Sequence, residues 1–217
     1  MESLKRRKER AATIASMLAE WYPDSTGTPL DWRQPLELLL ATILAAQARD
    51  DTVNMVMPNL LARFPDARAL ASAPSDEVES IIRTTGFFRA KARSVQACCR
   101  QLVDLHGGEV PRTMEELTAL AGVGRKTANV VLGNCFGVPG MVVDTHVLRL
   151  SKRWELTVEE DADKVESDLC DLLPRSEWTV FSHRVTWFGR SFCTARSPRC
   201  PECRLRDLCP FGLAGGA

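Results

Sequence analysis

Four cysteines, Cys193, Cys200, Cys203 and Cys209, stand in the run Cys-x6-Cys-x2-Cys-x5-Cys, and no other feature constrains the fold as tightly. Thiols this close together converge most readily on one shared metal centre; disulfides rarely persist in the cytosol, and two local bridges in so short a segment would be strained. Zinc sites usually pair two short Cys-x2-4-Cys units, and here only Cys200 and Cys203 are so spaced. The wide first gap therefore favours an iron–sulfur cluster held by four thiolates, with zinc as the alternative. Cys98, Cys99, Cys135 and Cys170 are scattered through helical-looking segments and read as small buried hydrophobes.

A chain of 217 residues with 45% hydrophobic content forms one large domain or two small interlocked ones and is not disordered. From Met1 to Arg10 the sequence alternates Lys, Arg and Glu without an apolar run, so neither a secretory signal nor a membrane span is expected, and the location implied is cytoplasmic, at the nucleoid. The 28 basic and 28 acidic residues cancel, so overall charge says nothing for a nucleic-acid partner. Distribution says more: acids crowd positions 159–171, and arginines crowd positions 184–206 around the cysteine run.

The chain reads as all-α. No segment alternates apolar and polar residues at length, whereas apolar spacings of three and four recur over 36–47, 78–83 and 126–132. Pro35 and Pro74-Ser75 can open helices, and Thr113 with Glu116 forms a T-x-x-E capping box. Gly107-Gly108, 137–140 and Pro198 break the pattern, and 137–140 is the best internal boundary.

Between two of these helices lies Leu120-Ala121-Gly122-Val123-Gly124-Arg125-Lys126-Thr127-Ala128. Gly122 and Gly124 permit a tight turn with backbone amides exposed to a ligand, and the following helix N-terminus suits an anion such as a DNA phosphate. A plain interhelical turn would look the same from Gly-x-Gly alone, and the spacing is not that of a Walker A loop. Lys126 falls at the start of the second helix, where the dipole and partial burial would favour a neutral, nucleophilic amine over a phosphate-binding ammonium. Eighteen residues after Lys126 comes Asp144, in Val142-Val143-Asp144-Thr145-His146, placed to cap a helix beginning at Thr145. Such a carboxylate can also stabilise a sugar oxocarbenium or help activate an amine, although its charge would favour the ammonium form of a nearby lysine.

With these three motifs in this order, the chain resembles the endonuclease III family of helix-hairpin-helix DNA glycosylases over roughly Gln34 to Cys209. The resemblance implies a 4Fe-4S cluster on the four cysteines and a bilobal all-α fold. Its six-helix lobe would span 27–138, with the hairpin at about 113–135; its cluster lobe would join 1–26 to 139–217, with the iron–sulfur loop at 193–209. Lys126 and Asp144 would then face each other across the cleft as the catalytic pair.

The family flips the damaged nucleotide out of the duplex. The resemblance makes Gln47, in Ala46-Gln47-Ala48-x-Asp50, the residue that fills the vacated space, and Phe87 the wedge on the other strand. It assigns DNA binding to Gly122, Gly124, Arg125, Thr127, His146, Arg196 and Arg199, and gives His146 and Arg149 a supporting place rather than a part in the chemistry. Arg49 stands where the family commonly has Thr, and Phe87 is bulkier than the usual aliphatic wedge, so lesion choice is the open point. The expected function is a monomeric glycosylase that removes oxidised pyrimidines from double-stranded DNA and cleaves the resulting abasic site. The alternatives are a monofunctional glycosylase of the same fold or a non-catalytic DNA-binding module with a structural metal. The adenine mismatch glycosylases share the cluster and the aspartate but lack the hairpin lysine.

Overall fold

A computed structural model describes residues 2–215; Met1, Gly216 and Ala217, which the expected lobe boundaries included, lie outside the described residues. Among the described residues every regular element is helical. The α-helices are α1 (Leu4–Trp21), α2 (Pro35–Leu44), α3 (Asp50–Arg63), α4 (Ala67–Ala71), α5 (Ser75–Ile81), α6 (Phe88–His106), α7 (Met114–Thr118), α8 (Arg125–Cys135), α9 (Thr145–Arg153), α10 (Ala162–Leu172), α11 (Trp178–Ser191) and α12 (Pro210–Leu213), with short 3-10 turns between some of them. The chain divides into two compact units, Met1–Gly27 with Pro139–Ala217, and Thr28–Val138.

In the unit Thr28–Val138, α2 is the central helix. Pro35 occupies its first turn, and Leu38, Leu39, Leu40, Ala41 and Leu44 are all buried, as befits a helix covered on every side by α3, α6 and α8. The apolar spacing that extended to Gln47 overstates this helix, which stops at Leu44. At the start of α7, Thr113 accepts the Glu116 amide at 3.3 Å and donates its hydroxyl to the Glu116 carboxylate at 2.7 Å, a capping box whose return bond runs side chain to side chain. Gly107, at φ +63, ends α6, and the Gly108 amide reaches back to the Leu102 carbonyl at 2.8 Å.

The other unit is built around aromatic rings. Helix α1 buries Ala11, Ile14, Ala15 and Leu18, one stripe at helical spacing, and packs on α10 and α11. Trp154 stacks on Phe188 at 6.0 Å and Phe188 on Phe192 at 5.5 Å, while Trp21 meets Phe192 edge-on at 4.7 Å. Arg10 donates to the backbone carbonyls of Trp154, of Glu155 at 3.2 Å and of Leu208 at 3.5 Å, tying α1 to the end of α9 and to the cysteine loop. Among the described residues no helix is long and apolar enough to cross a membrane.

Candidate active site and metal centre

The hairpin that precedes α8 requires glycine at position 122, whereas Gly124 is extended with open space around it. Gly122 has φ +75, and a Cβ there would lie 2.8 Å from the Ser94 Cβ, so both conformation and space exclude a side chain. Gly124 is the N-cap residue of α8 and supplies no side-chain acceptor, which leaves the first amides of the helix to other partners. Arg125 and Lys126 are exposed and Thr127 is half-buried. The partial burial expected of Lys126 is absent, because the buried stretch of α8 begins only at Ala128.

Asp144 is the N-cap of α9, as its place in the sequence suggests. Its Oδ1 accepts the amides of His146 at 2.8 Å and Val147 at 2.7 Å. Its second oxygen has a partner that no motif announced: the Thr186 hydroxyl lies 3.1 Å from Oδ2. This contact is the last of three along one face of α11. Thr179 pairs with Gly140, at 3.1 Å to its amide and 3.2 Å to its carbonyl, and Ser182 accepts the Val142 amide at 2.9 Å. Hydroxyls at i, i+3 and i+7 on a helix thus meet alternate residues of the extended segment that delivers Asp144. The two spacings match because three or four helical residues rise about as far as two extended ones.

Close approach of α9 and α11 makes this ladder possible. A Cβ on Gly189 would lie 2.9 Å from the His146 Cβ, so glycine lets the helices meet. His146 is half-buried against this contact, and its Nδ1 lies 3.3 Å from Arg149 Nη2. Burial pushes the His146 imidazole below its ordinary pKa, with the Asp144 charge opposing. His183, only 5% exposed, is pushed down to about 4 by burial, again against the pull of Asp144, and its buried Nε2 has no hydrogen-bond partner.

Gln47 and Phe87 share a backbone peculiarity. Among the described residues only Gln47, Phe87 and Glu155 are non-glycine residues with positive φ, at 53°, 47° and 50°. Gln47 sits exposed between α2 and α3, and Phe87 is 68% exposed after Gly86 at φ +69, so a core role for this phenylalanine is excluded. Left-handed conformations in bulky residues cost free energy and cluster at functional sites. The turn beneath Phe87 is pinned from inside: the buried Lys91 amine donates to the Thr85 carbonyl at 2.7 Å.

Cys193, Cys200, Cys203 and Cys209 all line one pocket, closed by Trp154, Phe188, Phe192 and Phe211. None forms a disulfide. Among the described residues no three His, Cys, Asp or Glu side chains are gathered as a single metal ion would require. Burial pushes the Cys203 thiol up to about 11 and raises Cys193 and Cys209 as well, so these sulfurs become thiolates only when a bound cation compensates them. Hydrogen-bond donors already point at two of them: Arg153 Nη1 lies 3.1 Å from Cys193 Sγ, and the Gly212 amide 3.3 Å from Cys209 Sγ. An apolar pocket with four sulfurs and donors aimed at sulfur fits an iron–sulfur cluster. Arg153 was invisible to spacing arguments, as was its stack over Phe211 at 4.3 Å. Arg196 is exposed, and so is Arg199, whose guanidinium stacks over Phe192 at 4.2 Å and donates to the Ser191 carbonyl at 3.1 Å. Cys98 and Cys99 are fully buried, their thiols raised by burial, as expected of packing residues.

Comparison with known proteins bears on both motifs. Residues 40–175 match the HhH-GPD superfamily of base excision DNA repair proteins, and residues 193–209 match the iron–sulfur binding domain of endonuclease III, whose cofactor is a 4Fe-4S cluster. The chain is 49% identical to endonuclease III of Synechocystis over 209 residues, covering 96% of this chain and 95% of that one. It is 37% identical to endonuclease III of Escherichia coli K12 over 204 residues, covering 94% and 96%. Among solved structures, a trapped endonuclease III–DNA covalent intermediate superposes with a TM-score of 0.93 at 40% identity over 100% of both chains. A thermostable thymine-DNA glycosylase shares the fold, with a TM-score of 0.86 at 19% identity over 95% of this chain and 98% of that one.

Proposed function

This chain belongs to the endonuclease III family within the HhH-GPD superfamily, and from that premise we propose that it is a bifunctional base-excision repair enzyme, a DNA glycosylase with AP lyase activity. Its substrate is double-stranded DNA carrying an oxidised pyrimidine or an abasic site. The observation that carries this reading is the exposed Lys126 amine in the first turn of α8, directly behind the two-glycine hairpin. An amine so placed can reach a sugar on a phosphate backbone docked at the hairpin amides. The covalent intermediate trapped for the 40% identical endonuclease III supports chemistry of this kind.

In this reading the Lys126 amine attacks C1′ of the flipped nucleotide, forming an N–C1′ bond while the glycosidic bond breaks and its electron pair leaves with the base. The nitrogen then loses its protons as the C1′–O4′ bond opens and O4′ takes one up, which gives a Schiff base; loss of a C2′ proton expels the 3′ phosphate by β-elimination and cuts the strand 3′ to the lesion. Asp144 supplies the carboxylate that stabilises developing positive charge at the sugar. Gln47 and Phe87, both exposed in left-handed conformations, fill the space left in the duplex and part the bases of the other strand. Gly122, Gly124, Arg125, Thr127, Arg196 and Arg199 contact the DNA backbone, with affinity that falls as salt rises. His146 supports the start of α9 from behind.

Cys193, Cys200, Cys203 and Cys209 are the residues that would hold the 4Fe-4S cluster. Bound there, it would organise the arginine-bearing loop, and four thiolates would leave no open position for substrate. In the same reading the hairpin belongs to a six-helix lobe, the cysteines belong to a cluster lobe, and the protein works as a monomer at the nucleoid.

Borohydride trapping tests the reading. Wild type incubated with duplexes containing an abasic site or an oxidised pyrimidine should yield a covalent adduct with each, and Lys126→Ala should yield none. Base release without any adduct would make the protein a monofunctional glycosylase. DNA binding without either would make it a binding module.

A further inference from the structure

The hydroxyl ladder of α11 ends on the one carboxylate oxygen that the helix cap does not use. Asp144 Oδ1 accepts two amides, of His146 and Val147, which fix it to the start of α9 and leave Oδ2 to other partners. Facing Oδ2 is the Thr186 hydroxyl at 3.1 Å, and the same hydroxyl lies 2.9 Å from the Ser182 carbonyl. A hydroxyl has one hydrogen and two lone pairs, so it serves these two acceptors in turn.

We propose that Thr186 is a positioning residue for Asp144, a hydroxyl that donates to Oδ2 and so holds the carboxylate in one orientation. Thr179 and Ser182 hold residues 140 and 142 in the same way, so the segment carrying the carboxyl is located by α11 before Thr186 acts on it. This inference rests on the role given to Asp144 in the proposed function and names the residue that keeps it in place.

Thr186→Val, nearly the same shape without the hydroxyl, tests it in the full-length, cluster-bearing protein on an oxidised-pyrimidine duplex. Single-turnover base release should slow about tenfold, the effect of losing one hydrogen bond to a charged group, while DNA affinity stays within about twofold. Thr186→Ser should restore most of the rate, which a purely packing role of the methyl group would not do. Should the valine variant fail to fold, Thr186→Ala gives the same comparison without a buried extra methyl. A wild-type rate in a folded Val or Ala variant, beside an inactive Asp144→Asn, would overturn the proposal and leave the role of Asp144 intact. Wild-type base release by Asp144→Asn itself would remove the premise, and the proposal with it.

Discussion

Thr186 meets Asp144 at 3.1 Å on the carboxylate oxygen opposite the one that caps α9, so a single side chain both starts a helix and presents a charge. The two roles separate by mutation. Asp144→Ala should cost about 1–2 kcal/mol of stability through the lost cap, whereas Asp144→Asn, which caps equally well, should cost far less. Both should lose base release. Urea denaturation run beside a glycosylase assay distinguishes them, and an Ala variant as stable as wild type would deny the cap its energetic weight.

Gly189 governs how near α9 and α11 approach. Its substitution by alanine would press a methyl against the His146 Cβ and the Leu150 side chain, at 2.9 and 3.1 Å. The His146 Cβ is fixed to the α9 backbone and has little room to yield, so Gly189→Ala should destabilise by about 1–3 kcal/mol, against its better helix propensity. It should also lengthen the Thr186–Asp144 contact and slow base release. A thermal melt unchanged from wild type would mean that the helices slide apart at no cost.

His183 makes stability depend on pH. Burial holds the folded imidazole neutral down to about 4, while an unfolded chain takes up the proton near 6.5. Between those values the unfolded state binds more protons, so stability is lost as pH falls through that window, by on the order of 3 kcal/mol when complete. His183→Leu should remove this part of the acid sensitivity, and because Nε2 has no partner, little stability should be lost at pH 7. Denaturation curves for the two proteins at pH 7, 5.5 and 4.5 give the answer; parallel losses would show that His183 does not carry the effect.

Phe87 is held in a left-handed conformation while most of its ring faces solvent. Asparagine adopts that conformation more readily, so Phe87→Asn should leave the protein as stable or up to about 1 kcal/mol more stable. Binding to a lesion-containing duplex should weaken at the same time. A variant less stable than wild type would show that Phe87 contributes packing after all.

The cysteine pocket should collapse without its cluster. Cys203→Ser should abolish the visible iron–sulfur absorption and lower the melting temperature, since a buried pocket lined by raised thiols cannot hold four thiolates unaided. Far-ultraviolet circular dichroism of the same sample tells local loss from global unfolding. Retention of the absorption spectrum would exclude Cys203 as a ligand.

Much of this protein is legible in one dimension. Apolar spacings of three and four mark α5 and α8, Pro35 and Thr113 mark helix starts, and the cysteine run marks a metal centre, because each is a local rule with local consequences. Asp144 as a cap belongs to the same class. Local pattern failed where the chain departs from its own periodicity: the spacing through Gln47 continues past the real end of α2 at Leu44, and Gln47 itself is left-handed. It failed also for Lys126, whose exposure depends on which face of α8 the rest of the fold covers. Thr186, His183, Gly189 and Arg153 carry no motif at all. Their meaning lies in neighbours tens of residues away, Asp144, His146 and Cys193, and only the packing of α11 and the cysteine loop on α9 brings those groups together. Sequence alone determined which helices form and which chemistry the chain can carry, since propensity, capping and ligand spacing act over a few residues. Tertiary structure alone decided which hydroxyl, imidazole and guanidinium surround that chemistry, since hydrogen bonding and desolvation depend on neighbours in space.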